Sequence, residues 1–290
     1  MNPYLSPQRV RAALHSLGLR PTRGMGQNFL IDQHVLQTIV ASAELTAADR
    51  VIEVGPGLGV LTWELLQQAG QVLAVELDKR LAARLREEFA AAQQLQVIQA
   101  DILKLPPADI FEQAGLSAES PYKVVANLPY AITSPVLRHF LEAAHKPGLL
   151  VILIQWEVAR RITATAGNLS VLAHSVQIYA QPEIVARVPA GSFFPQPAVD
   201  SAILRLQVYP TPAVAVDSID ALFRVIKAGF LQPRKKLSNA LPGGLAAMGQ
   251  QIPRETAVAA LEAAGVAPER RAETVTLEEW SRVYTALRDM

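Results

Sequence analysis

The sequence Glu53-Val54-Gly55-Pro56-Gly57-Leu58-Gly59 decides the fold. It overlaps the end of a short apolar stretch, residues 50–55, and precedes a stretch with helical spacing, residues 60–69. Glycines let the chain turn tightly between a strand and a helix, and they let a ligand approach the backbone. Enzymes that bind nicotinamide dinucleotides share such a turn, with the spacing Gly-x-Gly-x-x-Gly. The spacing Gly-x-Gly-x-Gly, with an acid two residues ahead of it, therefore favours a different nucleoside ligand.

Strand-like and helical stretches alternate around this turn. Strands are predicted at 50–55, 71–76, 95–99, 122–126 and 149–154, and helices at 32–42, 60–69, 79–92 and 133–144. Strands that are apolar without strict alternation are typical of a parallel sheet covered by helices on both faces. Residues 202–208 resemble a further, antiparallel strand, whereas 156–165 favours a helix and 169–179 fits a helix or a strand. We therefore predict an α/β fold with a mostly parallel sheet.

The second part of the chain is predicted to be helical. Residues 209–214, Tyr-Pro-Thr-Pro-Ala-Val, form a proline-rich break that is typical of a linker. Beyond it only helical patterns follow, at 219–231, 237–247, 254–264 and 277–287. The predicted organisation is an α/β domain at 1–208, which starts with a basic segment at 1–31, and a small helical domain at 215–290.

Composition excludes several classes of protein. The chain has no cysteine, so disulfides, thiolate metal sites and cysteine nucleophiles are excluded, and we expect no metal. No apolar stretch approaches the ~18 residues of a membrane span, and the N-terminus lacks the pattern of a secretory signal. We expect a cytoplasmic monomer that does not bind membranes.

The net charge of +1 conceals an uneven distribution. Residues 1–31 contain four arginines and no acid, and residues 224–254 contain six bases and no acid. The intervening residues 32–146 contain fourteen acids and nine bases. Basic flanking segments can hold a polyanion, although by themselves they are more often ordinary solvated surfaces.

Acids at the ends of the second and third strands predict a nucleoside site. Glu76 is placed to accept hydrogen bonds from both hydroxyl groups of a ribose, which S-adenosylmethionine and nicotinamide dinucleotides both contain. Asp101 is placed to accept from an adenine amino group, or alternatively to cap a helix. These acids predict a nucleoside without identifying it.

The sequence Asn127-Leu128-Pro129-Tyr130 follows the fourth strand and indicates the chemistry. The N6 amine of adenine is a poor nucleophile because its lone pair is delocalised into the ring. Hydrogen bonds accepted by the Asn127 side-chain oxygen and by the Leu128 or Pro129 carbonyl would draw the nitrogen towards sp3 geometry. Tyr130 can stack on a base that has been flipped out of its helix. The alternative, a proline turn with a core tyrosine, does not explain why the motif follows a Gly-x-Gly-x-Gly site.

Together these motifs resemble the KsgA-type ribosomal RNA adenine dimethyltransferases over nearly the whole chain. The resemblance rests on residues 26–32 (Gly-Gln-Asn-Phe-Leu-Ile-Asp), 53–59, 76–78, Asp101, 127–130, 193–201 (Phe-Phe-Pro-Gln-Pro-Ala-Val-Asp-Ser) and 234–239 (Arg-Lys-Lys-Leu-Ser-Asn). It implies a Rossmann-like methyltransferase domain that uses S-adenosylmethionine and dimethylates two adjacent adenines near the 3′ end of small-subunit RNA. The implied partner is the small ribosomal subunit or its precursor.

The resemblance also implies a set of site residues. The implied contacts of S-adenosylmethionine are Asn28, Leu30, Gly55, Gly57, Glu76, Asp101 and Asn127. Phe193 would face the target base opposite Tyr130, or else be a core phenylalanine held between prolines. The implied RNA-binding residues are Arg23, Arg234, Lys235 and Lys236.

Two departures concern RNA contact. The family usually has a basic residue after Gln155, where this chain has Trp156, and the family's Tyr-Gly-Arg-Leu-Ser stretch is reduced to Gly-Asn-Leu-Ser at 167–170. Three alternatives stay open: a large-subunit RNA methyltransferase of the macrolide-resistance type, a non-catalytic RNA- or DNA-binding factor on the same fold, and a nicotinamide oxidoreductase. The glycine spacing and Asn127-Leu128-Pro129-Tyr130 disfavour the last.

Overall fold

A computed structural model describes residues 2, 4–18 and 28–290, and it divides the chain into two compact units. Unit 1 contains Met1–Ala159 and Gln181–Pro210, and unit 2 contains Arg160–Ala180 and Thr211–Met290. The chain crosses between the units three times, and the last crossing lies at the proline-rich stretch 209–214. Residues 160–180, however, belong with the C-terminal helices, whereas the sequence analysis assigned them to the first domain. No proline- or glycine-rich break marks the first crossing, so composition gives no signal for it.

Unit 1 is built on a seven-stranded sheet. Its strands are β2 Arg50–Val54, β3 Gln71–Glu76, β4 Leu95–Gln99, β5 Lys123–Asn127, β6 Leu149–Gln155, β7 Ala180–Val188 and β9 Ser201–Val208. Their order in the sheet is β4-β3-β2-β5-β6-β9-β7, in which the first five strands pair in parallel and β9 pairs antiparallel with β6. The predicted α/β fold is confirmed. Sequence analysis missed β7, because Pro182 argues against a strand. The proline is tolerated here because β7 lies at the edge of the sheet, where an N–H group needs no partner strand.

Helices cover the sheet of unit 1. They are α1 Pro7–Ser16, α2 Gln33–Ser42, α3 Val60–Leu65, α4 Lys79–Glu88, α5 Pro107–Gln113, α6 Thr133–Leu141 and the first residues of α7 Trp156–Ile162. Two of them begin at aspartates that accept hydrogen bonds from the first free backbone N–H groups: Asp32 caps α2 and Asp78 caps α4. Most residues of the central strands are buried, as a parallel sheet between helices requires.

A separate two-stranded sheet joins distant parts of unit 1. Its strands, β1 Phe29–Leu30 and β8 Phe193–Phe194, are antiparallel and pair Phe29 with Phe194 and Leu30 with Phe193. The Ile31 N–H also donates to the Ser192 carbonyl at 2.9 Å. Two of the motifs that carried the resemblance are thereby brought together.

Unit 2 is helical. It contains the remainder of α7, with α8 Val171–Gln177, α9 Ile219–Phe230, α10 Leu237–Ala247, α11 Arg254–Ala263 and α12 Leu277–Arg288. A Cβ at Gly244 would lie 2.1 Å from the Ala228 carbonyl oxygen, so α9 and α10 pack this closely only because Gly244 has no side chain. Within the described ranges, none of the helices is long and apolar enough to cross a membrane.

Candidate active site

The glycine-rich turn and the end of β3 form one side of a cavity. The Gly57 N–H donates to Glu76 Oε2 at 3.0 Å, and the Asp78 N–H donates to Glu76 Oε1 at 2.9 Å. Gly57 has φ 60°, a left-handed conformation that a side chain disfavours. Two backbone donors therefore fix the Glu76 carboxylate beside the backbone of the turn.

Two buried acids line the same cavity. Glu53 is 1% exposed and Glu76 is 5% exposed. Burial raises the pKa of Glu53 to about 8, and the neighbouring Glu76 carboxylate acts in the same direction. Burial also raises the pKa of Glu76, although the N–H groups of Asp78 and Gly57 oppose the effect. Among the described residues Glu53 Oε2 has no hydrogen-bond partner, so a ligand in the cavity could supply one.

Asn127 lies at the carboxyl end of β5 and lines the same cavity. Its Nδ2 donates to the Asn28 carbonyl oxygen at 3.1 Å. A carbonyl only accepts, so this contact determines which end of the amide is the NH2 group. The other end, Oδ1, is left as an acceptor for a ligand.

The residues after Asn127 are also held. The Leu128 N–H donates to the Leu153 carbonyl at 3.2 Å, and the Pro129 carbonyl accepts from the Ile132 N–H at 3.1 Å. The Tyr130 hydroxyl lies 2.8 Å from Ser201 Oγ, and burial raises the pKa of this phenol. The phenol therefore stays neutral near pH 7.

Most predicted cofactor residues line one cavity. Its described lining consists of Asn28, Phe29, Leu30, Glu53, Gly55, Pro56, Gly57, Val60, Leu61, Glu76, Asn127, Leu128, Pro129 and Tyr130. These side chains include two acids and no base. Strands of a parallel sheet deliver residues to this edge because their carboxyl ends meet there.

Of the residues predicted to contact the cofactor or the target base, two are not among this lining. Asp101 Oδ1 accepts from the Leu103 N–H at 3.1 Å and caps the short 3-10 turn Ile102–Lys104, which was the alternative that the sequence left open. Phe193 is 3% exposed and packs in the hydrophobic core, opposite Leu30 in the two-stranded sheet. For both residues the contact with a ligand stays a prediction.

The predicted RNA-binding cations lie elsewhere. Arg234, Lys235 and Lys236 are exposed, in the loop between α9 and α10 of unit 2. Within the described residues no acid forms an ion pair with any of them. Arg23 lies outside the described residues.

Comparison with protein families decides the identity. The model of the ribosomal RNA adenine dimethylase family matches residues 20–289. The chain belongs to this family. The match extends beyond the cavity to nearly all of unit 2, so it covers the exposed basic loop as well as the Asn127 motif.

Relatives of this family member include curated proteins of nearly equal length. A protein of Dehalococcoides mccartyi named ribosomal RNA small subunit methyltransferase A is 48% identical over 98% of this chain and 94% of its own length. A protein of the same name from Alkaliphilus metalliredigens is 41% identical over 97% and 96%. The chain is therefore similar to these proteins throughout both units.

Solved structures agree with the fold. The 23S rRNA methyltransferase ErmE has a TM-score of 0.69 and 31% identity, with 90% of this chain and 100% of that chain covered. A dimethyladenosine transferase from Plasmodium falciparum has a TM-score of 0.72 and 23% identity, covering 88% and 95%, which supports the fold alone. The chain is an rRNA adenine methyltransferase with a Rossmann-like fold.

Some residues of the site were not predicted from sequence. Phe29 lies on the cavity wall, and a Cβ at Gly57 would meet its ring at 3.2 Å. Ser201 positions Tyr130, yet the sequence analysis gave it no role. Glu53 was noticed only as an acid ahead of the glycines. That position was itself the available signal, because an acid within a buried strand is costly unless it serves a ligand.

Proposed function

We propose that this chain transfers methyl groups from S-adenosylmethionine to the N6 atoms of two adjacent adenosines near the 3′ end of 16S rRNA, during assembly of the small subunit. The observation that carries the proposal is the orientation of Asn127, whose amide oxygen is left as an acceptor in the same cavity as Glu76. The family match and the small-subunit names of relatives at 41–48% identity support it.

The cavity suits S-adenosylmethionine better than a dinucleotide. This ligand carries a sulfonium and an ammonium group, whereas a dinucleotide carries an anionic pyrophosphate. The described lining contains the carboxyl groups of Glu53 and Glu76 and no cation, so it offers acceptors for hydrogen-bond donors and no partner for a pyrophosphate. Glu76 is held where it can accept from ribose hydroxyls, and the turn at Gly55 and Gly57 lets the ligand approach the backbone. The ligand would supply an electrophilic methyl group.

The residues after β5 then orient the amine. Asn127 Oδ1 accepts one N6–H, and a backbone carbonyl accepts the other. Since the Pro129 carbonyl already accepts from Ile132, the Leu128 carbonyl is the better second acceptor. Tyr130, fixed by Ser201, stacks on the flipped adenine. Transfer depends mainly on proximity and orientation, and the neutral phenol of Tyr130 is not needed as a base. The product proton leaves to water or to a carbonyl.

Unit 2 would hold the RNA through its exposed basic loop. Arg234, Lys235 and Lys236 can contact phosphates, which position the RNA without reading its sequence. Arg23 and the other N-terminal arginines would contribute further phosphate contacts. We place the reaction in the cytoplasm, with a monomer acting on a small-subunit precursor, and propose no metal for it.

One assay separates this proposal from its alternatives. Labelled S-adenosylmethionine is offered with unmethylated small-subunit particles, large-subunit particles or naked RNA. We expect N6,N6-dimethyladenosine in the small-subunit RNA. Label only in large-subunit RNA would instead support the macrolide-resistance type, and binding of particles without transfer would support a non-catalytic factor.

A further inference from the structure

A tryptophan and an arginine form a stacked pair at the carboxyl end of β6. Trp156 follows the last residue of β6, and its N–H donates to the Asp200 carbonyl at 3.0 Å. The guanidinium carbon of Arg187, which lies on the neighbouring part of the sheet in β7, is 5.0 Å from the centre of the indole ring. This distance is within the range of a cation–π interaction.

Asp200 holds the arginine in this position. Arg187 Nε and Nη2 lie 2.9 and 2.8 Å from Asp200 Oδ2, while the Ala190 N–H donates to Oδ1 at 3.0 Å. The Ala190 N–H and Arg187 hold the pKa of the Asp200 carboxyl below its usual range, so it is ionised at neutral pH. The Arg187 side chain is nevertheless 58% exposed, and Trp156 is partly exposed. The pair is therefore an oriented planar surface that is open to solvent.

This surface lies next to the residue that we expect to stack on the target base. Ser201 pairs with Gln155 across β9 and β6, and its Oγ contacts the Tyr130 hydroxyl at 2.8 Å. Asp200 and Trp156 are the immediate chain neighbours of Ser201 and Gln155, at about 3.8 Å between successive Cα atoms. An RNA strand with one base at Tyr130 would bring an adjacent nucleotide to this point.

We propose that Trp156 and Arg187 form a subsite for the nucleotide that flanks the target adenosine, and the inference rests on the proposed function. Extruding one base from a strand leaves its neighbours partly unstacked, and unstacked bases bind to aromatic rings and guanidinium planes. The subsite would bind the flanking base by stacking. The bonds to Asp200 use Nε and Nη2, and in the described part of the chain Nη1 meets no acceptor, so it can donate to the adjacent phosphate.

Steady-state kinetics on unmethylated small-subunit particles test the subsite. We expect Trp156→Ala to raise KM for the particles about tenfold, the scale of losing one base–aromatic stack. Its kcat should change little, and the Kd of S-adenosylmethionine should not change. Arg187→Lys keeps the charge but loses the plane, so it should raise KM too. The proposal would be overturned if neither variant raised KM. It would also be overturned if only kcat fell, because a purely structural pair would lower kcat and thermal stability.

Fluorescence gives a second readout that does not need turnover. A short single-stranded RNA with two adjacent adenosines should quench the tryptophan emission of the wild type by stacking on Trp156. Trp156→Phe should abolish the quenching and Trp63→Phe should retain it, while Trp280 is fully buried. Quenching that persists in Trp156→Phe would overturn the subsite even if that variant is fully active. Wild type that methylates no small-subunit RNA would overturn the proposed function instead, whatever the quenching shows.

Discussion

The two units bury polar side chains with opposite consequences. In unit 1 the buried acids Glu53 and Glu76 line the cavity, where a ligand can complete their hydrogen bonds. In unit 2 His174 is fully buried, and the centres of its ring and the Phe230 ring are 5.9 Å apart. Neither of the His174 ring nitrogens has a hydrogen-bond partner among the described residues. Burial raises the pKa of Glu53 to about 8 and lowers that of His174 to about 4.

The difference shows that an unpartnered buried group does not by itself mark a site. Desolvation disfavours the charged form in both units. It has a functional use in unit 1 because the acids face a cavity on which backbone donors and Asn127 converge. His174 packs within an aromatic cluster that also contains Trp280, so its burial affects the stability of unit 2 instead.

The largest expected effect tests the assignment of catalysis to unit 1. Asn127→Ala removes the acceptor for the adenine N6–H, and we expect kcat to fall by about 100-fold or more, as when one preorganised polar group is removed from an active site. Calorimetry with S-adenosylmethionine would separate lost binding from lost turnover. Near-normal turnover of Asn127→Ala would contradict the mechanism. The matched control is Asn239→Ala, which changes an exposed asparagine in unit 2 and should leave kcat unchanged.

The strand ends of this site were predictable from sequence. Gly55, Glu76 and Asn127 each end or follow a buried strand, and the carboxyl ends of parallel strands meet at one edge of the sheet. The helices of unit 2 were also predicted closely, since their apolar periodicity is strong; α10 was predicted at 237–247 and spans Leu237–Ala247.

What the sequence could not provide depends on pairing between distant residues. The two strands β1 and β8 have two residues each, too few to show any periodicity, yet they bring Phe29 to the cavity and fix Phe193 in the core. Likewise α8 shows an apolar pattern, but only its contacts, such as the Ala213 N–H with the Ile178 carbonyl at 2.8 Å, assign residues 160–180 to unit 2.

An intermediate effect tests whether unit 2 holds the RNA. Each cation that neutralises a phosphate contributes up to ~0.9 to the slope of log affinity against log salt, so changing Arg234, Lys235 and Lys236 to Ser should flatten the slope for small-subunit particles by up to ~2.7. Between 50 and 200 mM salt this is a change of up to ~40-fold in affinity. Binding isotherms at several salt concentrations measure it.

A matched control removes three arginines that are already ion-paired, Arg138, Arg271 and Arg288. It changes the net charge equally but should leave the slope nearly unchanged, because these side chains are partly neutralised by their own acids. An unaltered slope in the basic-loop variant, with particle binding intact, would place the RNA contacts elsewhere, with the N-terminal arginines as the next candidates.

The smallest expected effect concerns the stability of unit 2. Unfolded histidine has a pKa near 6.5, whereas burial lowers the pKa of His174 to about 4 against the opposing charge of Glu278. The unfolded chain thus binds more protons between these values, so this contribution to stability is complete above pH 6.5 and is lost as the pH falls towards 4. Between pH 7.5 and pH 6 the loss should be about 1 kcal/mol.

The pH dependence from Glu53 has the opposite sign: its raised pKa makes unit 1 less stable as the pH rises from about 4.5 to 8. Urea unfolding of wild type and His174→Leu at both pH values, followed by a probe in unit 2 such as Trp280 emission, measures the difference. The variant should lose about 1 kcal/mol less on acidification, while His34→Gln, at an exposed position, should behave as wild type. Equal losses in wild type and His174→Leu would show that His174 is protonated as readily in the folded chain as in the unfolded one, and the contrast between the two units would then rest on the acids of unit 1 alone.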